Sequence, residues 1–236
     1  MRPVLPRRRA ASLRGAVRPA SGPRPPITLA GVDTPEEGRG AGRDPRARRT
    51  EHALRRALVA LAAERGPAAV TASELAGRAG IGRATFYRHH DSVPAFVDSL
   101  RAELIAELRG AFLDVRLDPR TKPGTYDVLA CRARAVLLVA AHDVDLFRLL
   151  WEGNAGTAFR DRFRAELAVL FAEDLGRIGA KTDAAYCPPE YLSAYATHAI
   201  TGVLGAWLAK DQREPIEDVT FYLVTLINSG SQVLEQ

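Results

Sequence analysis

The twenty-two residues 71–92, TASELAGRAGIGRATFYRHHDS, constrain the fold of this chain more than any other stretch. Thr71-Ala72-Ser73-Glu74 has the spacing of a capping box, in which the Thr hydroxyl accepts from the Glu74 amide while the Glu side chain reaches back. It opens a short helix over about 72–79 that turns Leu75, Ala76 and Ala79 inward. Gly80 stops that helix as the left-handed residue after its end. Ile81 plugs the turn, and a second short helix follows over about 82–88. In front stands an amphipathic helix over about 46–65, with Leu54, Ala57, Leu58, Leu61 and Ala62 at helical spacing, ended by Gly66-Pro67. Helix, short helix, Gly turn and short helix make a helix-turn-helix with a supporting helix. Leu75, Ile81 and Phe86 pack beneath it. The opposite face offers Arg83, Thr85, Tyr87 and Arg88, followed by His89 and His90. Arg reads guanine or pairs with phosphate, and Thr, Tyr and His donate to phosphate oxygens, so this face suits a DNA major groove.

The remainder keeps the helical period. Asp91 or Ser92 caps a helix over about 93–112 with Pro94 in its first turn, where a missing N–H does no harm. Phe96, Val97, Leu100, Leu104 and Leu108 form its stripe. Further helices are expected over about 124–141, 143–152, 156–178, 189–210 and 216–234, with no strand-period segment and no internal repeat. The chain reads as all-α with about nine helices.

Charge divides the 236 residues unevenly. The net charge is +5 over 1–45, +4 over 46–110 and −4 over 111–236. A basic N-terminal part joined to an acidic C-terminal part fits a protein that meets a polyanion at one end only. Of the 33 basic residues only Lys122, Lys181 and Lys210 are lysines, a skew better read as GC-rich coding than as function. Residues 1–45 hold eight of the fifteen prolines and no apolar period, and are expected to be a disordered Arg/Pro-rich tail. Arg7-Arg8-Arg9 lacks the apolar stretch an export signal needs. No apolar run approaches membrane-spanning length. Cys131 and Cys187 lie far apart without metal or disulfide spacing, which fits a reducing cytoplasm. There is no Gly-rich phosphate loop, GxSxG elbow, HExxH or Cys–His pair, and His142 with Asp143 and Asp145 lacks a third metal ligand, so neither an enzyme nor a cofactor is expected.

The motif resembles the DNA-binding signature of the tetracycline-repressor (TetR) family, with Thr71, Leu75, Ala76, Ala79, Gly80, Ile81, Thr85, Phe86, Tyr87 and His89 at matching positions. Gly82 stands where Ser or Thr usually caps the recognition helix, His90 replaces a Phe, and Val93 replaces a Lys. The resemblance implies that Tyr87 and Thr85 bind phosphates, and that Arg83, Arg88 and Ser73, with backbone near Ala84, face base edges. Thr71 and His89 join this surface. Arg46, Arg48 and Arg49 would lie along the adjacent backbone or minor groove. The implied organisation is a tail (1–45), a DNA-binding domain (46–92), a connecting helix (93–112) and an effector-binding and dimerisation domain (113–236).

By the same resemblance the protein is a homodimeric, ligand-released repressor on a pseudo-palindromic double-stranded operator; a constitutive DNA-binding protein is the alternative. Its effector is expected to be small and mostly apolar. Aromatic bulk with polar tips in the C-terminal half makes His142, Phe147, Trp151, Phe163, Tyr195 and His198 the pocket candidates, with Tyr126, Phe159, Tyr191 and Trp207 as further aromatics. His198 alternatively reads as a satisfied core histidine. Ala199, Gly202, Val203 and Ala206 on the penultimate helix and Leu223, Leu226 and Ile227 on the last are the candidate dimer face, since small residues permit close helix approach.

Overall fold

The computed structural model describes residues 45–115, 125–152, 156–179, 188–210 and 213–232. Residues 1–44 of the expected tail and the side chains of Tyr126 and Ile227 lie outside them, while Pro45 opens the first helix. Among the described residues there are nine α-helices, one single-turn 3-10 helix and no strand.

The first helix, α1 (Pro45–Arg65), buries Leu54, Ala57, Leu58, Leu61 and Ala62. It ends at Gly66, and Pro67–Ala69 form the 3-10 turn, an element the sequence pattern did not reveal. Two short helices follow, α2 (Ala72–Arg78) and α3 (Arg83–His89). Then α4 (Val93–Asp114) runs out of the N-terminal unit into the C-terminal body. Its first half packs Phe96 against Phe86 of α3, and its last turns pack Phe112 against Phe171. One apolar core therefore continues through both parts, and α4 is the bar that joins them.

Five more helices are described: α5 (Thr125–His142), α6 (Val144–Trp151), α7 (Thr157–Gly179), α8 (Pro189–Leu208) and α9 (Ile216–Gln232) follow α4 to build the body with it. Ala130, Ala133, Ala135, Val136, Leu137, Val139 and Ala140 of α5 are all buried. A helix apolar on nearly every side belongs in the centre, and α5 is packed by α4, α6, α8 and α9. Asp143 caps α6 by accepting from the Leu146 amide at 3.2 Å. Behind that cap, Phe147 and Trp151 meet Phe159 and Phe163 of α7, with Trp151 and Phe163 edge-to-face at 5.4 Å. No described helix is long and apolar enough to cross a membrane.

Three expectations for the C-terminal half need correcting. Phe147, Trp151 and Phe163 are interior side chains of one cluster, but His142, Tyr195 and His198 are exposed and do not join them. His198 is not a core histidine either, and its ring Nδ1 lies 2.8 Å from the carbonyl of Ala194 on its own helix. The reason is rotational: positions 195, 198, 202 and 206 fall on one side of α8, while Ala196, Ile200 and Leu204 hold the buried side. Leu223 was expected on a dimer face but is fully buried, because the α9 stripe that carries it packs on α5.

Candidate nucleic-acid interface

The helix-turn-helix is assembled by local chemistry. Thr71 Oγ1 accepts from the Glu74 amide at 3.3 Å, and Glu74 Oε2 accepts from the Thr71 amide at 3.2 Å, so the capping box is complete. Arg65 at the end of α1 donates to Glu74 at 2.8 Å. That guanidinium, then the Thr71 bonds, hold the Glu74 carboxyl below the usual carboxylate range. Arg78 of α2 reaches back to Glu64 at 2.8 Å. Thus α2 is tied to α1 at both ends.

Gly80 turns the chain with φ +71°, in the left-handed region. The Ile81 amide then donates to Ala76 O at 3.0 Å, closing the end of α2. A Cβ at Gly80 would meet nothing within 4 Å, so the demand for glycine is conformational. Gly80→Ala should therefore cost about 1–2 kcal/mol, the left-handed penalty alone. Urea denaturation checks this, and an unchanged midpoint would refute it.

Gly82 caps α3 without a side-chain bond. From there Phe86 points into the core, fully buried, with edge-to-face contacts to Tyr87 at 5.4 Å and Phe96 at 6.4 Å. Burying a ring of this size is worth about 1.5–3 kcal/mol, and it anchors α3 by its underside. The opposite face is left outward. Arg83, Ala84, Tyr87, Arg88 and His89 are exposed, Tyr87 by 49%, while Thr85 is half-buried. Arg83 and Arg88 have no ion-pair partner among the described residues. An exposed tyrosine between unpaired arginines on a rigidly anchored helix is an arrangement for phosphates and base edges.

Other candidates sit around that face. Thr71 and Ser73 are exposed at the start of α2, Thr71 being committed to its cap. Arg46, Arg48 and Arg49 are exposed on the first turn of α1. Val93 is buried, so it cannot replace the phosphate contact of a lysine at its position. His90 is the residue whose role sequence reasoning left open between weaker packing and a polar contact. The structure shows both, a ring tilted against Phe96 at 4.6 Å and a contact to Glu51 of α1 at 3.2 Å.

Residues 54–93 match the family of bacterial regulatory proteins described as the tetR family. No curated protein matches the chain. Among solved structures, FadR from Bacillus subtilis in complex with stearoyl-CoA is similar at a TM-score of 0.57 and 17% identity, over 76% of this chain and 98% of that one. The fatty acid degradation regulator FadR from Bacillus halodurans gives 0.57 and 14%, over 78% and 95%. A TetR transcriptional regulator from Streptococcus agalactiae gives 0.51 and 22%, over 77% and 95%. At such identities the likeness of the whole chain is one of fold. Fold and motif together define an all-α chain that carries a helix-turn-helix unit. Its N-terminal unit matches the tetR family of bacterial regulatory proteins over residues 54–93, and the chain as a whole shares the fold of solved TetR regulators.

Proposed function

We propose that this protein is a homodimeric, sequence-specific repressor that binds a pseudo-palindromic operator and leaves it when a small, mostly apolar effector binds the helical body. The observation that carries the DNA half is the outward face of α3, where Arg83, Tyr87 and Arg88 stand exposed above the buried Phe86. Arg83, Arg88, Ser73 and the backbone at Ala84 read bases, while Tyr87, Thr85 and His89 hold phosphates. Arg46, Arg48 and Arg49 follow the flanking backbone.

Dimerisation is supported by a stripe on α8. Tyr191, Tyr195, Gly202 and Ala206 are exposed at helical spacing, beside exposed Tyr222 and Leu226 on α9. Large rings next to glycine and alanine let a symmetry-related pair of helices interlock. Two recognition helices then meet half-sites about one DNA turn apart.

The effector half is supported by the apolar interior between α6 and α7, where Phe147, Trp151 and Phe163 form one buried cluster. A similar fold is known with stearoyl-CoA bound, so an acyl chain is the first ligand class to try. Ligand must favour the conformation that does not fit DNA, or it shifts nothing.

The test is binding of full-length protein to the DNA upstream of its own gene, against scrambled competitor, across a salt series. The expected result is a competitor-resistant complex of one dimer per site, whose salt slope counts phosphate contacts. Addition of stearoyl-CoA should lower its affinity. A complex insensitive to a panel of acyl-CoAs and apolar drugs would favour a constitutive DNA-binding protein, and equal competition by scrambled DNA would overturn specific recognition.

A further inference from the structure

His90 ends the recognition helix in an extended conformation, its amide donating to Phe86 O at 2.9 Å. Its imidazole is only 11% exposed, wedged between Phe86 and Phe96. Nε2 lies 3.2 Å from Glu51 Oε2 on α1, and Glu51 is 21% exposed. The other carboxylate oxygen, Glu51 Oε1, is buried with no hydrogen-bond partner among the described residues. This contact spans 39 residues of sequence and joins the basic start of α1 to the end of α3. Both of those ends are the surfaces proposed to meet DNA.

The charge state of the pair matters more than its existence. With a neutral imidazole, Glu51 is a largely buried anion without full compensation, lying under the surface that must approach phosphates. With an imidazolium, the pair is neutral overall and its hydrogen bond is charge-assisted, roughly twice as strong as a neutral one. We propose that His90 and Glu51 are a positioning pair that makes operator affinity depend on protonation of one imidazole, tight when it is charged and weak when it is neutral. The proposal rests on the DNA-binding reading above.

The sign follows from linkage. Phosphates beside the pair favour the imidazolium, so the DNA complex holds the proton more firmly than the unbound protein does. Affinity is then greatest below the titration range of the unbound protein and is lost as pH rises through that of the complex. Imidazole is the side chain whose charge changes near neutral pH, so about pH 6 to 8 is the range to test. Neighbouring charged groups are Arg48 and Arg55 one turn either side of Glu51, Glu103 of α4 paired with Arg55, Asp91 in the next turn, and His89, whose ring centroid is 6.4 Å from that of His90. His52 is exposed on α1.

The experiment measures the Kd of full-length protein for its selected operator fragment at pH 6, 7 and 8 and constant ionic strength. Wild type should bind about tenfold tighter at pH 6 than at pH 8, as one proton linked to each binding surface allows. His90→Gln should be flat and stay near the weak pH 8 value. Glu51→Gln should change the pH profile while keeping His90 titratable, and bind at pH 8 no more weakly than wild type, because it removes the uncompensated anion. A purely structural contact predicts instead that both variants weaken binding at every pH with the wild-type slope retained, and that result overturns the proposal. The variant His52→Gln must keep the pH dependence; if it loses it, that exposed histidine is responsible and His90 is not. Thermal melts of each variant report folding separately. Absence of any competitor-resistant complex at all three pH values would overturn the DNA-binding reading and this proposal with it, whereas unchanged slopes in both variants overturn this proposal alone.

Discussion

Replacing Tyr87 by Phe and Arg88 by Ala together leaves the helical fold intact and removes operator-specific binding. Both side chains are exposed, so neither fills core volume. Phe is chosen at position 87 because the ring packs edge-to-face on Phe86 at 5.4 Å, a contact worth about 0.5–1.5 kcal/mol that Ala would forfeit. The change at position 87 therefore removes only the hydroxyl proposed to donate to a phosphate, and hydrogen bonds to charged groups contribute about 1.5–3 kcal/mol. An arginine on a base edge contributes about 1–3 kcal/mol of discrimination. Each loss would occur twice in the proposed dimer. Affinity should fall about 100-fold or more, since every 1.4 kcal/mol is a factor of ten. The thermal midpoint should stay within a few degrees, and binding to scrambled DNA should weaken far less than binding to the operator. A double variant that still discriminates the operator from scrambled DNA would remove α3 from the recognition surface.

How much of this was readable in the chain depends on the range of the interaction that decides it. The helix-turn-helix was legible because its determinants are local. Thr71 and Glu74 are three residues apart, Gly80 is a single backbone choice, and the Leu75–Ile81–Phe86 set is fixed by helical period. Helix ends in the body agree with the pattern to within a few residues, for the same reason. The placement of side chains in the body was not legible. On α8 nearly every position is apolar or small, so the period does not say which side is inward, and Tyr195 and His198 were assigned inward although they face out. On α9 the same ambiguity put Leu223 outside, although its packing on α5 buries it. Glu51 gave no local sign of its contact with His90, since the partners lie 39 residues apart. The one hint was a histidine where an aromatic hydrocarbon was expected.

A second large effect lies in the C-terminal body and was equally invisible in sequence. Arg132 of α5 is buried, donates to Asp174 of α7 through Nε at 2.7 Å and Nη2 at 3.3 Å, and lies over the Phe112 ring at 4.6 Å. The partners are 42 residues apart, and Arg132 sits in an alanine-rich helix where a charge is expected to point outward. Asp174→Ala should cost about 3–5 kcal/mol, because it strands a buried guanidinium whose Nη1 already has no hydrogen-bond partner among the described residues. Against a total stability of about 5–15 kcal/mol, that is enough to shift the urea midpoint far down. Replacing both partners, Arg132→Met with Asp174→Leu, should recover most of the loss, since an apolar pair of similar volume avoids the desolvation that the ion pair only partly offsets. The comparison separates two roles for the pair. If the single variant is costly and the double variant is stable, the charges are a liability balanced by each other, and the double variant should still bind the operator. If the single variant costs under about 1 kcal/mol, the site is wet enough to solvate a lone guanidinium, and the pair is no structural keystone of the α4–α5–α7 junction.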